Sequence, residues 1–210
     1  MTDIADLAPR TARRRRLTRE QRAEQLLAVA EGVFVERGLE GASIDGIAAA
    51  AGVTRPVVYE HFASKEEMFL LLMRRARREL NETLGAAVAD IEDDRLRLRT
   101  GIDAVFQFIE ADRRRWALLF DRLASSGNVA AEQAALRTET VDGIAALLQA
   151  AAPQADALTI AISASALSGA AEQVERWWRA HPDTPRGRLV EELLQFSWQG
   201  LEALTSPPDP

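Results

Sequence analysis

The chain of 210 residues is 47% hydrophobic and 28% charged, values that support one large or two small folded domains and exclude wholesale disorder. It contains no cysteine, which excludes disulfides, thiolate zinc sites and cysteine nucleophiles. The net charge of −6 hides an asymmetry, because residues 1–80 hold 14 Lys and Arg against 12 Asp and Glu, whereas residues 81–210 hold 12 against 20.

A basic head on an acidic body suggests an anionic partner for the head alone. Residues 10–22 carry seven arginines, including the run Arg13, Arg14, Arg15, Arg16, against Glu20 alone. Such a run is either a solvated tail or an arm reaching an anionic surface. No apolar run follows it, so it does not read as a secretory signal. The longest uncharged stretch of the C-terminal half, residues 157–171, falls short of the ~20 apolar residues of a bilayer span. The expectation is a soluble, cytoplasmic protein with no membrane partner, opened by a flexible basic arm over residues 1–17.

Apolar residues then recur at helical spacing. Ala23, Leu26, Leu27, Ala30, Val33 and Phe34 form one stripe, opened by Thr18 with Gln21 three residues on and closed by Gly38. Ile44, Ile47, Ala48 and Ala51 form a shorter one, capped by Ser43 and ended by Gly52. The next run, Val57-Val58-Tyr59-Glu60-His61-Phe62, has strand propensity, but Thr54 is a good N-cap and Pro56 suits a first helical turn. The spacing predicts a two-turn helix over 55–62 and a helix-turn-helix, with Gly52 supplying the left-handed residue of the turn. At 100° per residue Val58 and Phe62 face inward, Pro56, Val57 and Glu60 face outward, Tyr59 and His61 flank them, and Arg55 stands at the tip. An exposed Pro-Val-aromatic face suits a DNA major groove, where apolar atoms meet thymine methyls and Arg or Glu read base edges.

Ser64 with Glu67 opens a long helix predicted over 65–92, with Phe69, Leu72, Met73, Ala76, Leu80 and Leu84 on one face. Further amphipathic stretches follow at 95–111, 113–125, 128–151, 154–180 and 186–204, before a Pro-rich tail, 206–210, expected to fray. The fold class is therefore all-α. A head over 18–64 is joined by the long helix to a helical regulatory and dimerisation domain over 65–205.

The head resembles the DNA-binding domain of the TetR family of bacterial transcription regulators. The residues carrying the resemblance are Phe34, Gly38, Ile47-Ala48, Ala51-Gly52-Val53-Thr54, Val58-Tyr59, His61-Phe62 and Ser64-Lys65-Glu66. It implies a homodimer whose C-terminal domain binds a small-molecule effector and whose last two helices pair with the partner's. It also implies that Ser43, Tyr59 and Lys65 contact phosphates while Arg55, Val57, Glu60 and His61 face the bases, with Thr54 and Pro56 beside them. Glu60 departs from the family pattern, placing a negative charge on the reading face. The closing run, residues 196–204, resembles the family's last helix.

Set next to such a head, the arginine arm, Arg13 to Arg16, is expected to contact DNA, as homeodomain arms do. In the bundle, Phe106, Ile109, Trp116, Phe120 and Leu123 concentrate aromatic and apolar side chains and are the candidate lining of a pocket for a large apolar or aromatic ligand. Trp177 and Trp178 are adjacent and cannot share a helix face. With Ser165, Gly169, Phe196 and Trp198 they mark the candidate dimer interface. His61 and His181 are the only histidines and lie far apart, no catalytic motif is present, and no ligand spacing for a metal occurs, so neither an enzyme nor a cofactor is expected. The reading is a dimeric, ligand-responsive repressor on a palindromic operator, with double-stranded DNA as partner. The alternative is a non-catalytic helical module whose basic arm contacts RNA or an acidic protein.

Overall fold

Side-chain caps fix where the head's helices begin. Thr18 Oγ1 accepts from Gln21 N at 3.2 Å while Gln21 Oε1 accepts from Thr18 N at 3.0 Å, a reciprocal box that starts α1 (Arg19–Gly41). Gly38, at φ 68° and ψ 172°, interrupts α1 where the stripe ends, and the chain makes one more turn before α2 (Ile44–Ala51). Ser43 caps α2 by accepting from Gly46 N at 3.1 Å. Gly52 ends it in the left-handed region, φ 66°, with Gly52 N donating to Ala49 O and Val53 N to Ala48 O. That pair of bonds is a Schellman motif and turns the chain sharply into α3 (Arg55–Tyr59).

α3 is shorter than the two turns predicted. Thr54 sits at its N-cap without a side-chain cap bond, and His61 N donates to Val58 O at 3.0 Å, an i→i−3 bond that tightens the chain after Tyr59. Val58 and Phe62 are nevertheless both buried, as their spacing requires. Ser64 accepts from Glu67 N and opens α4 (Lys65–Val88), which stops four residues before the predicted end; the Glu67 carboxylate returns not to Ser64 but to Ala63 N, at 2.6 Å.

The computed structural model describes residues 17–120 and 127–205. The arm with Arg13, Arg14, Arg15 and Arg16, the candidate pocket residue Leu123 and the tail 206–210 lie outside the described residues. The regulatory part consists of α5 (Asp94–Ala111), α6 (Arg113–Phe120), α7 (Gly127–Ala151), α8 (Ala157–Ala180) and α9 (Arg186–Thr205), and no strand occurs among the described residues. Asp93 caps α5 and Asp156 caps α8, each accepting from backbone N–H groups of the first turn.

One apolar core runs from head to bundle. Phe34 of α1 meets Phe69 of α4 edge to face, ring centroids 5.1 Å apart, and both are fully buried. Such a pair adds to the burial of its own area, so it fastens the head to the start of the long helix. Further along, Phe106 of α5 meets Trp178 of α8 edge to face at 5.8 Å, and Leu189, Val190, Leu193 and Leu194 of α9 close the far side. A row of ion pairs joins α1, α4 and α6 on the surface: Glu24 to Arg75 at 2.7 Å, Arg75 to Glu79 at 3.5 Å, Glu79 to Arg115 at 2.5 Å, and Arg115 to Asp112 at 3.4 Å.

Candidate DNA-reading face and effector cavity

The turn after Gly52 leaves one side of α3 uncovered. Arg55, Pro56, Tyr59 and Glu60 are exposed there, Val57 and His61 are half-buried, and Thr54 lies at the helix start. Arg55 is held by its neighbours: Nη1 lies 3.2 Å from Asp45 Oδ2, Nη2 donates to Tyr59 Oη at 3.1 Å, and the guanidinium lies 5.4 Å from the Tyr59 ring centroid. The hydrogen bond it donates to Tyr59 and the charge of Asp45 keep its guanidinium above the ordinary arginine range, so it is a permanent cation.

The Glu60 carboxylate has no partner among the described residues, but Arg19 Nη2 donates to the Glu60 carbonyl at 3.4 Å. An arginine thus stands beside the backbone of Glu60, the residue that ends α3. Ser43 is exposed, and while its oxygen caps α2 its own O–H is free to donate. Lys65 is differently placed. Its Nζ donates to Leu39 O at 2.8 Å and Ala42 O at 3.0 Å, satisfying carbonyls at the end of α1, so two of its three donors tie α4 to α1.

A second site lies inside the bundle. A cavity of about 580 Å³, partly open to solvent, is lined by α4 to α9, within the range of small-molecule sites. Of the aromatic cluster read from the sequence, Phe106, Trp116 and Phe120 line it, and Trp116 stacks on Phe120 with centroids 4.0 Å apart. Ile109 does not line it: it is fully buried in the core, because the face of α5 toward the cavity carries Leu98, Gly101, Ile102 and Val105 instead. The pattern reading missed Arg77 of α4 and the α7 wall, Thr140, Ile144, Leu147 and Ala151. Arg77 had a signal, since it falls on the stripe Met73, Leu80, Leu84 at positions where only apolar residues are expected. Burial lowers its guanidinium from the ordinary range, an effect the charge of Glu139 opposes.

On the outside of α8 and α9, Leu158, Ile162 and Phe196 are 69%, 60% and 74% exposed, far more than apolar side chains of this size bear in a covered face. Leu158, Ile162, Ser165 and Gly169 succeed one another at i, i+4, i+7 and i+11, a single stripe along α8. Trp177 is exposed and stacks on His181 at 4.1 Å. Two of the candidate interface residues sit elsewhere. Trp178 is buried within the protomer against Phe106, its Nε1 donating to Thr184 O at 2.8 Å, because the residue after an exposed helical position turns 100° inward. Trp198 is half-buried and lines the cavity.

Among the described residues no cluster of three or more His, Cys, Asp or Glu side chains is placed to hold a metal ion, and no helix is long and apolar enough to cross a membrane.

Comparison with known proteins matches both halves. Residues 26–72 match the family model described as bacterial regulatory proteins, tetR family, and residues 95–200 match that of the tetracyclin repressor-like C-terminal domain. The HTH-type transcriptional activator FasR of Mycolicibacterium smegmatis is 33% identical over 213 residues, covering 96% of each chain. The HTH-type transcriptional regulator EthR of Mycobacterium tuberculosis is 34% identical over 102 residues, 47% of each chain. Among solved structures, a TetR-like transcriptional regulator from Rhodococcus sp. RHA1 superposes with a TM-score of 0.76 at 28% identity, over 89% of this chain and 99% of that one. AibR, solved in complex with isovaleryl coenzyme A and operator DNA, shares the fold with a TM-score of 0.69 at 20% identity, over 83% of this chain and 97% of its own.

Proposed function

The chain belongs to the TetR family of bacterial transcription regulators, and we propose that this DNA-binding regulator acts as a cytoplasmic homodimer, without a catalytic step, which an apolar effector releases from a palindromic operator. The observation that carries the reading is the uncovered face of α3, which presents Arg55, Pro56, Val57, Tyr59, Glu60 and His61 together while Val58 and Phe62 anchor the helix from behind. Arg55, freed from Asp45, reads a base edge, and Val57 with Pro56 meets thymine methyls. Ser43 and Tyr59 take phosphates, and Lys65 adds its third donor from a fixed position.

The apolar stripe of α8 with Phe196 of α9 serves as the dimer contact, including Ser165, Gly169 and Trp177. A two-fold dimer then sets its two α3 helices about one helical turn of DNA apart, ~34–36 Å. α6 supports a route from effector to DNA. It lines the cavity with Trp116 and Phe120 and holds Glu79 through Arg115, and Glu79 connects by Arg75 to Glu24 of α1. An effector shifts the operator equilibrium only by its differential affinity for the two arrangements of this row.

Repression by blocking a promoter is the primary reading. Activation is the second, favoured by the relative over nearly the whole chain, which is described as an activator. Selection of bound sequences from random duplex DNA tests the first claim, and an enriched palindrome is the expected result. Binding with equal affinity to scrambled duplexes or to single-stranded RNA would instead favour the basic-module alternative. Transcription from the selected site, with and without the protein, separates repression from activation.

A further inference from the structure

Among the described residues lining the cavity, Arg77 carries a buried side-chain nitrogen, Nε, without a hydrogen-bond partner. Its Nη1 donates to Thr140 Oγ1, whose own O–H donates to Leu136 O at 2.9 Å, so Thr140 fixes the guanidinium in place. Nη2 lies 3.9 Å from the carboxylate of Glu139, which is mostly solvent-exposed. Nε has no accessible surface and no acceptor in reach among the described residues. A buried N–H on a cation is costly to leave unmatched, so Arg77 is a cation that the protein itself satisfies only in part.

The other ionic groups lining the cavity are matched by the protein itself. Arg97 donates to the carbonyls of Ile91 and Glu92 and to Asp94. Glu172 lies between Arg137 at 3.8 Å and Arg176 at 3.6 Å. Arg77, Arg137 and Arg176 thus face Glu139 and Glu172, one positive charge in excess. Away from Arg77 the wall is Leu80, Leu84, Val88, Ile144 and Leu148, and Arg77 to Val88 spans about 16 Å of α4 at 1.5 Å per residue.

We propose that the cavity binds an elongated apolar molecule ending in a carbonyl oxygen, which the guanidinium of Arg77 holds at the cavity wall while the chain lies along α4 and α7. This rests on the reading of the cavity as the effector site. A carboxylate and an ester both supply the oxygen, and Thr140 keeps the donor aimed in either case.

The test titrates the full-length protein with dodecanoate, methyl dodecanoate and dodecane, three probes of one chain length, following the fluorescence of Trp116 and Trp198 in the cavity wall. The wild type should bind dodecanoate, its methyl ester or both at least about tenfold more tightly than dodecane, the scale of one charge-assisted hydrogen bond. A carboxylate-only preference identifies an acid as the ligand type and an ester preference a neutral acyl group. Arg77→Met should abolish the preference while leaving dodecane binding unchanged. Equal affinities for all three probes, or a preference that survives in Arg77→Met, overturns the anchor and leaves the cavity reading intact. Failure of all three to bind overturns the cavity reading as well. If Arg77→Met does not fold by circular dichroism, Arg77→Gln takes its place in the same comparison, with the same outcomes expected and excluded.

Discussion

In the proposed reading Arg55 serves two states. Off DNA its guanidinium is shared between Asp45 and Tyr59, which spares it full hydration but is worth little energetically at an exposed surface. In the proposed complex with DNA the same guanidinium leaves Asp45 for a base edge. Arg55→Ala is expected to weaken operator binding by about 1–3 kcal/mol and to relax the preference at one base pair, read by fluorescence anisotropy on single-base operator variants. Asp45→Asn should do the reverse for affinity, strengthening binding severalfold by removing both the competitor and a negative charge from the DNA side; unchanged or weaker binding would show that Asp45 positions Arg55 instead. Glu31, at the contact of head and bundle, behaves differently. Burial raises its carboxyl pKa, Asp112 adds to the shift, and Arg115, Arg114 and Arg75 oppose it. A raised folded pKa means the folded state binds more protons than the unfolded one, so Glu31 costs stability above its raised value and the cost disappears as pH falls below about 4.5. Glu31→Gln should therefore stabilise the protein at pH 7 and lose its advantage in acid, as measured by urea denaturation across that window.

At the scale of elements, two glycines shape the head for different reasons. Gly52, at φ 66° and ψ 35°, occupies the ordinary left-handed well, and a Cβ there would meet nothing within 4 Å. Gly38, at φ 68° and ψ 172°, occupies a region that only glycine enters readily. Gly52→Ala should cost about 1 kcal/mol and Gly38→Ala more, about 2 kcal/mol or above, in denaturant unfolding. If the two cost the same, the kink in α1 is not where the strain is held. The brevity of α3 belongs to this scale too. Five residues cannot persist as a helix alone, so its orientation is set by Val58, Phe62 and the Schellman turn, and its reading face is a product of packing.

For the whole molecule, the proposal requires a second copy. Phe196→Asp replaces the exposed apolar side chain of α9 with a charge, and sedimentation should show a monomer that retains its helicity but binds the palindrome far more weakly. A dimer that survives this change would move the interface off α9. The arginine arm makes a separate prediction. Each phosphate it neutralises adds about −0.9 to the slope of log K against log salt, so deletion of residues 1–16 should flatten that slope by several units. An unchanged slope would return the arm to the status of a solvated tail.

Sequence alone determined what is written in local chemistry. The caps at Thr18, Ser43 and Ser64, the glycine stops at 38 and 52, and the inward pair Val58 and Phe62 are short-range signals, because a cap or a 100° step involves only neighbours along the chain. They sufficed for an all-α fold and for the outward placing of Arg55, Pro56, Tyr59 and Glu60. Tertiary structure alone decided what depends on elements meeting across the molecule. It turned Ile109 and Trp178 into core, brought Trp198 to the cavity, committed Lys65 to the end of α1, and set Arg77 among apolar residues with one N–H unmatched. Helical spacing gives the direction of a side chain from its own axis, but what stands opposite is fixed only when the helices pack.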